Sequence, residues 1–187
     1  MGVEVGSNTR KGSRNMPDIA DREQLLGELQ HLLGAGNPRP QALEAALEKI
    51  LAAFDCRVGT IHALQPDSGV LTLQAQRGLP AVLLPRVQEI PIGKGMVGLA
   101  AERREPVQVC NLQTDGSGVA KPAAREAQME GSIAVPMLAG GVLCGTLGVA
   151  KPVAHEFSAS ETELLLKVGS MIGSFLRRKS DAPANVT

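Results

Sequence analysis

Aromatic side chains are almost missing from this sequence. Its 187 residues contain no Trp, no Tyr and only three Phe. Proteins that bind single-stranded nucleic acid usually stack bases on aromatic rings, and nucleic-acid-binding domains in general carry a basic surface. Here 19 basic residues are balanced by 19 acidic ones, so no net field attracts nucleic acid or an anionic membrane surface. We therefore expect neither nucleic acid nor a membrane among the partners of this chain.

Cysteine and histidine are also scarce. The three cysteines, Cys56, Cys110 and Cys144, stand far apart and no C-x-x-C occurs, which excludes a zinc ribbon and a thioredoxin-type motif. The three histidines are scattered without cysteine or carboxylate at ligand spacing, so we expect structural roles for them and no metal site. The first 16 residues lack the apolar stretch of an export signal. Together these features predict a reducing, cytoplasmic location.

One long uncharged run could suggest a membrane helix. Residues 131–150 carry no charge over 20 positions, which is the length of a spanning helix. The run is interrupted by Pro136 and by the pair Gly140 and Gly141, and it is rich in β-branched residues. Two strands joined by a glycine turn are the better prediction.

Hydrophobic periodicity predicts helices at both ends of the chain and strands between them. Apolar residues recur every three or four positions in the helical segments and every second position in the strands. The predicted helices are 18–33, 38–54 and 158–178, and a short one follows the glycine-rich bend at 93–102. The predicted strands are 56–64, 70–76, 87–91, 106–110, 132–138 and 142–150.

This order of elements predicts an α+β fold. We expect an antiparallel sheet of about six strands, with the N-terminal and C-terminal helices packed on one face. We expect a single domain over 17–179, with a helical lead-in at 18–34 and a core at 38–178. Residues 1–16 and 180–187 are small, polar and aperiodic, and we interpret them as disordered tails.

An ordered series of short motifs resembles the GAF domain family. The series comprises IPIGKGMVGLA at 90–100, EPVQV at 105–109, SIAVPM at 132–137, GTLGV at 145–149 and FSASE at 157–161. Residues 93–98 also match G-x-G-x-x-G, but two antiparallel strands precede them and no crossover helix with a parallel strand follows, so a dinucleotide-binding fingerprint is not supported. The resemblance implies instead that these glycines turn the chain into a short helix beside the sheet.

The resemblance raises an enzymatic alternative. Some single-domain GAF proteins are free methionine-R-sulfoxide reductases, which act through cysteine thiolates. Two of the cysteine positions of that group correspond here to Val87 and Val97, and 116–129, where a third is expected, contains no cysteine. A redox enzyme or sensor would have to use Cys56, Cys110 and Cys144 instead. We therefore expect a non-enzymatic domain.

Cofactor binding of the kinds known in the family is weakly supported. No Cys-His pair occurs, and three Phe cannot surround a bilin. Haem is not indicated either, because no other feature of a haem site accompanies the histidines. Of the residues typical of cyclic-nucleotide-binding members, this sequence keeps only Lys151 and Phe157. We expect a structural role for Lys151, which would pair with Glu161 and join the last strand to the last helix. No cofactor is predicted, although an unknown small ligand is compatible with the fold.

The resemblance also implies where such a ligand would lie. In GAF domains a pocket is formed between the sheet and the segment that connects the fourth and fifth strands, here 112–129. Charged side chains in this segment and at the start of the short helix predict a small polar or anionic ligand. The candidate ligand-binding residues are Lys94, Asp115, Lys121, Arg125, Glu126 and Met129.

These observations predict a sensory or regulatory module that binds a small molecule or a signalling protein. No output domain is recognised, so we expect it to signal in trans. The alternatives are a thiol redox enzyme or sensor of the reductase type, and a ligand-free dimerisation scaffold.

Leucines at near-heptad spacing on the first helix and an apolar stripe on the last predict a homodimer through these helices. The residues concerned are Leu25, Leu29 and Leu32, and Leu164, Val168, Met171 and Phe175. Alternatively the first helix folds over the last within one chain.

Overall fold

The computed structural model describes residues 18–117, 126 and 128–180, with the last two residues described for their backbone only. Its helices are α1 (Ile19–Gly34), α2 (Arg39–Ala53), α3 (Leu84–Val87), α4 (Gly95–Arg103) and α5 (Ala159–Ser180), and a 3-10 turn covers Ala81–Leu83. Its strands are β1 (Val58–Gln65), β2 (Val70–Arg77), β3 (Glu89–Pro91), β4 (Val107–Val109), β5 (Ser132–Ala139) and β6 (Val142–Ala150). The predicted tails fall outside the described residues, apart from Ser180, which ends α5.

The six strands form one antiparallel sheet in the order β3-β2-β1-β6-β5-β4. The α+β fold and the strand number are therefore confirmed. The uncharged run at 131–150 forms the β5–β6 hairpin, as predicted from Pro136 and the glycine pair. Among the described residues, no helix is both long enough and apolar enough to cross a membrane.

The larger core lies between one face of the sheet, here called the helix face, and the helices α1, α2 and α5. Ile61, Val135 and Leu147 point into it from three neighbouring strands and are fully buried. α5 approaches the sheet closely because it carries glycine there: a Cβ at Gly169 would lie 3.2 Å from the carbonyl oxygen of Pro136. The helix face thus holds the N-terminal and C-terminal helices, as predicted.

Each strand turns its alternate residues to the opposite face, here called the pocket face. A second, smaller core covers part of that face with side chains from α4, including Met96 and Ala100, and with Leu112 and Met129. Since α4 lies on the pocket face, the sheet has helices on both sides.

The predicted contact between Lys151 and Glu161 is wrong. The buried Lys151 amine donates a hydrogen bond to the carbonyl oxygen of Phe54, at the end of α2. Carbonyls in the last turn of a helix have no partner within the helix, so this oxygen is a strong acceptor. Glu161 instead accepts a hydrogen bond from the backbone N–H of Ser158 at 2.8 Å and faces the Nε2 of His155 at 3.1 Å.

Candidate functional site

A cavity of about 200 Å³ lies against the pocket face of the sheet. We call it the sheet cavity. Its floor is formed by β1, β5 and β6, and its wall by the chain from Leu83 to Val97, with Leu112 and Met129 closing one side. Most lining residues are apolar. The cavity is therefore suited to a small molecule with an apolar body.

The floor is made of small residues, and this is why space remains above it. Thr60, Gly148 and Ala134 lie side by side across the three floor strands. A Cβ at Gly148 would lie 3.1 Å from Thr60 Oγ1 and 3.8 Å from Val97 Cγ2. Larger side chains in this row would fill the cavity from below.

The wall depends on the glycine-rich bend before α4. Gly93 and Gly95 have φ of +81° and +61°, which favour glycine, and the N–H of Gly93 donates to the carbonyl of Gly98 at 2.9 Å. A Cβ at Gly98 would lie 2.5 Å from the carbonyl oxygen of Pro91. The bend therefore brings β3 against the start of α4, where Met96 and Val97 line the sheet cavity. The glycines have the structural role that the resemblance implied.

His62 is a buried polar residue of the sheet cavity. It lies on β1, and only 1% of its surface is exposed. Its Nε2 lies 2.8 Å from the carbonyl oxygen of Val87, so the proton is on Nε2, which donates. Burial lowers the pKa of His62 below its ordinary value of 6.5, against the opposing effect of the Val87 hydrogen bond. The ring is therefore neutral at pH 7, and its Nδ1 is a hydrogen-bond acceptor.

Two buried polar atoms on neighbouring strands of the floor have no partner among the described residues. They are Nδ1 of His62 and Oγ1 of Thr146. The two residues are directly opposite each other on β1 and β6, and Thr146 is fully buried. Buried polar groups in proteins are almost always hydrogen-bonded, to protein, water or ligand. Of the two residues only His62 lines the sheet cavity, so its Nδ1 marks a position for a polar group that the described part of the chain does not supply.

Charged side chains are found at the rim of the sheet cavity. Arg86 on α3 and Glu126 form an ion pair at 2.8 Å, and both side chains are about half exposed. Glu89 and Lys94 also line the opening and are exposed. No charged residue is among the buried ones that line the described part of this cavity.

The structure brings some of the predicted site residues together and separates others. Lys94 and Met129 line the sheet cavity, and Glu126 reaches its rim through Arg86. Asp115 accepts hydrogen bonds from the backbone and the hydroxyl of Ser117 and is not a lining residue. Lys121 and Arg125 lie outside the described residues. A ligand-binding role for any of the six stays a prediction.

Sequence reasoning missed the floor of the site. It gave His62 a structural role and assigned none to Thr60 or Gly148, yet all three line the sheet cavity. A signal was present in the strand alternation: Thr60 and His62 share one face of β1, whereas the apolar Ile61 and Ala63 share the other. Polar residues on one face of a central strand indicate a polar function on that face.

None of the three cysteines lines the sheet cavity, and each is a free thiol. Burial raises the pKa of Cys56 to about 12, and burial also raises the pKa of Cys144. Cys110 is exposed just after β4. Val87 and Val97, which the resemblance aligned with reductase cysteines, both line the cavity. No group of metal-ligating residues is found in the described part of the chain.

The chain belongs to the GAF domain family, whose model matches residues 37–177. The family comprises sensory and regulatory modules in general. A comparison with curated proteins finds no match. Solved structures with the same fold include the GAF domain of a phosphoenolpyruvate-protein phosphotransferase from Coxiella burnetii, with 19% identity, a TM-score of 0.75, and coverage of 89% of this chain and 100% of that one.

Two further structures show the range of proteins with this fold. The free methionine-R-sulfoxide reductase of Neisseria meningitidis, in complex with its substrate, has 16% identity and a TM-score of 0.70, with 89% of this chain and 96% of that one covered. A putative GAF sensor protein from Burkholderia vietnamiensis has 23% identity and a TM-score of 0.65, with 84% and 97% covered. At these identities the likeness establishes the fold alone.

Proposed function

We propose that this GAF domain is a non-enzymatic sensory module that binds a small molecule in the sheet cavity. The observation that supports this most directly is the cavity itself, with its floor of small residues and its buried, unpartnered His62 Nδ1. Because the buried lining is mainly apolar and uncharged, we propose a mainly apolar ligand, in place of the polar or anionic one expected from the sequence. Charged groups at the rim, including Lys94 and Arg86, would contact only its outer end.

The fold offers a route from the ligand to the helices. Strands β1, β5 and β6 form the floor of the sheet cavity, and the opposite side of β5 and β6 packs on α5. A ligand that shifts these strands would change the surface against which α5 rests. We propose that the domain passes its state through α5 and α1 to a signalling partner in trans.

Native mass spectrometry of the purified protein, before and after denaturation, tests ligand binding. We expect a retained small-molecule mass, and we expect Ala134→Leu to abolish it, because Ala134 is a buried floor residue. The matched control is Ala52→Leu on the exposed side of α2, which should retain the ligand. Retention by Ala134→Leu would place the ligand elsewhere. A dimer without ligand, and without thermal stabilisation by any compound of a screening library, would favour the scaffold alternative.

The reductase alternative is favoured by one observation, which is that valines at two aligned cysteine positions face the same cavity. Activity there would require a thiol at the cavity. We expect no turnover when the protein is incubated with free methionine sulfoxide and a dithiol reductant. Turnover that is abolished by Cys110→Ser would overturn the non-enzymatic proposal.

A further inference from the structure

The strongest constraint on the ligand comes from the protonation state of His62. Its Nε2–H is used by the carbonyl oxygen of Val87 at 2.8 Å, and burial keeps the ring neutral by lowering its pKa, so Nδ1 carries no proton. Nδ1 is buried and has no partner among the described residues. Only a hydrogen-bond donor can satisfy this atom. A carboxylate or a carbonyl group at the same position would place a lone pair against a lone pair.

Thr146 is the neighbour of His62 on β6. Residues directly opposite each other in antiparallel strands have Cβ atoms about 4.5 to 5.5 Å apart, and Thr146 stands opposite His62. Its Oγ1 is also buried and unpartnered among the described residues. Thr146 is not among the residues that line the sheet cavity, so the requirement that reaches the ligand is the one at Nδ1. A hydroxyl or an N–H group can meet it.

The size of the sheet cavity limits the rest of the molecule. An apolar cavity of about 150 Å³ is known to hold one benzene, so the sheet cavity of about 200 Å³ accepts a single ring with a small substituent. The charged lining residues Arg86, Glu89 and Lys94 are all exposed at the rim. No buried charge among the described lining residues would compensate an ionised group at the floor.

We infer that the sheet cavity selects a compact, uncharged, mainly apolar molecule with one hydrogen-bond donor, a hydroxyl or an N–H group, which donates to Nδ1 of His62. This inference rests on the proposed function and specifies its ligand class. His62 is a specificity-determining residue in this arrangement, and its hydrogen bond to Val87 holds the tautomer that discriminates donors from acceptors.

The test compares three ring compounds of similar size on the full chain: phenol, toluene and benzoate. We expect phenol to bind about tenfold more tightly than toluene, as one hydrogen bond to a buried acceptor implies, and benzoate to bind more weakly than phenol. In His62→Phe the preference for phenol should fall to about unity, with toluene affinity retained. The control His31→Phe, on the exposed side of α1, should keep the preference.

A second measurement uses the unaltered protein and does not depend on the variant folding. The ¹⁵N spectrum of the histidine rings should show His62 with the proton on Nε2, and phenol, but not toluene, should shift the Nδ1 resonance upfield. Equal affinity for phenol and toluene, tighter binding of benzoate, or an unmoved Nδ1 resonance would overturn the inference while leaving ligand binding intact. Absence of binding by all three, together with no retained mass on purification, would overturn the proposed function as well.

Discussion

Burial of His62 has a consequence for stability. Its pKa is lowered in the folded protein, mainly by burial, from an ordinary value of 6.5. Below about pH 6.5 the unfolded chain binds a proton that the native chain does not, so the free energy of unfolding decreases as the pH falls. We expect this residue to contribute a slope of at most about 1.4 kcal/mol per pH unit, measured by urea unfolding from about pH 7.5 to about pH 5.

The matched variant for this measurement is His62→Gln, whose amide can still donate to Val87 but does not titrate. The difference in slope between the two proteins isolates His62 from the remaining ionisable groups. If the free energy of unfolding depends on pH in the same way for the native sequence and for His62→Gln, the ring is protonated in the folded protein without penalty. It would then not be buried as described.

The thiols differ in reactivity because their surroundings differ. A rise in the pKa of Cys56 from 9.0 to about 12 lowers its thiolate fraction near neutral pH by about a thousandfold, and the thiolate is the reactive form. Cys110 is exposed. Limited alkylation of the native protein with iodoacetamide, followed by peptide mass spectrometry, should therefore label Cys110 first and leave Cys56 unmodified. Labelling of Cys56 at a comparable rate would restore it as a candidate redox residue.

At the scale of elements, α5 begins with a capping box that can be tested by mutation. The backbone N–H of Glu161 donates to Ser158 Oγ at 3.2 Å, and the N–H of Ser158 donates to Glu161 Oε2 at 2.8 Å. We expect Ser158→Ala to lower the free energy of unfolding by about 1 kcal/mol, measured by denaturant titration. Ser160→Ala is the control, because Ser160 is a nearby serine that lies within the first turn of α5, after the capping position. An equal loss in both variants would contradict this assignment.

The elements that the sequence predicted best are those whose apolar pattern faces a single core. Helices α1, α2 and α5 each have one apolar stripe, and their ends agree with the predicted ones within two residues. The short strand β3 was less well predicted, since its three residues are too few for periodicity and it is fixed by pairing with β2. Its start depends on α3, which no local pattern indicated.

The candidate site was predicted less well than the fold, for a physical reason. Charge drew attention to Lys94 and Glu126, which are exposed. The floor is built from residues that are far apart in sequence, and the row of Thr60, Gly148 and Ala134 exists only once the strand register is known. Small residues and a single histidine form no local sequence pattern that would mark them as parts of one site. The unpartnered Nδ1 of His62 in particular depends on Val87, on a different element.

For the whole molecule, the question is how much apolar helix surface remains for a second copy. Most of the predicted dimer stripe is used within one chain: Leu25, Leu29, Leu164 and Val168 are buried in the core that α1, α2 and α5 share. The alternative in which α1 folds over α5 therefore accounts for these residues. A groove between α1 and α5 remains, with the partly buried Leu26 and Met171. Homodimerisation stays a prediction, and the surface that remains for it is this groove, which is smaller than the two stripes predicted from the sequence.

The charges of the groove suit a second copy of the same chain. Glu23 stands on the α1 side, and Lys167 and Arg178 stand on the α5 side. In a two-fold arrangement whose axis runs parallel to the groove, the acidic side of each groove meets the basic side of the other. We therefore propose the α1–α5 groove as the self-association surface, with Leu26 and Met171 at its centre.

Substitution of Gly27 tests this surface without disturbing the single chain. Gly27 lines the groove, and an added Cβ would meet no atom within 4 Å. Arg is also a better helix former than Gly by about 0.8 to 1 kcal/mol, so Gly27→Arg should fold at least as stably while its side chain blocks the groove. We expect the full chain to sediment as a dimer at tens of micromolar and Gly27→Arg as a monomer. Ala52→Arg, on the exposed side of α2, should remain dimeric because it lies away from the groove. A monomeric native chain would exclude the dimer, and a dimeric Gly27→Arg would place the contact on another surface.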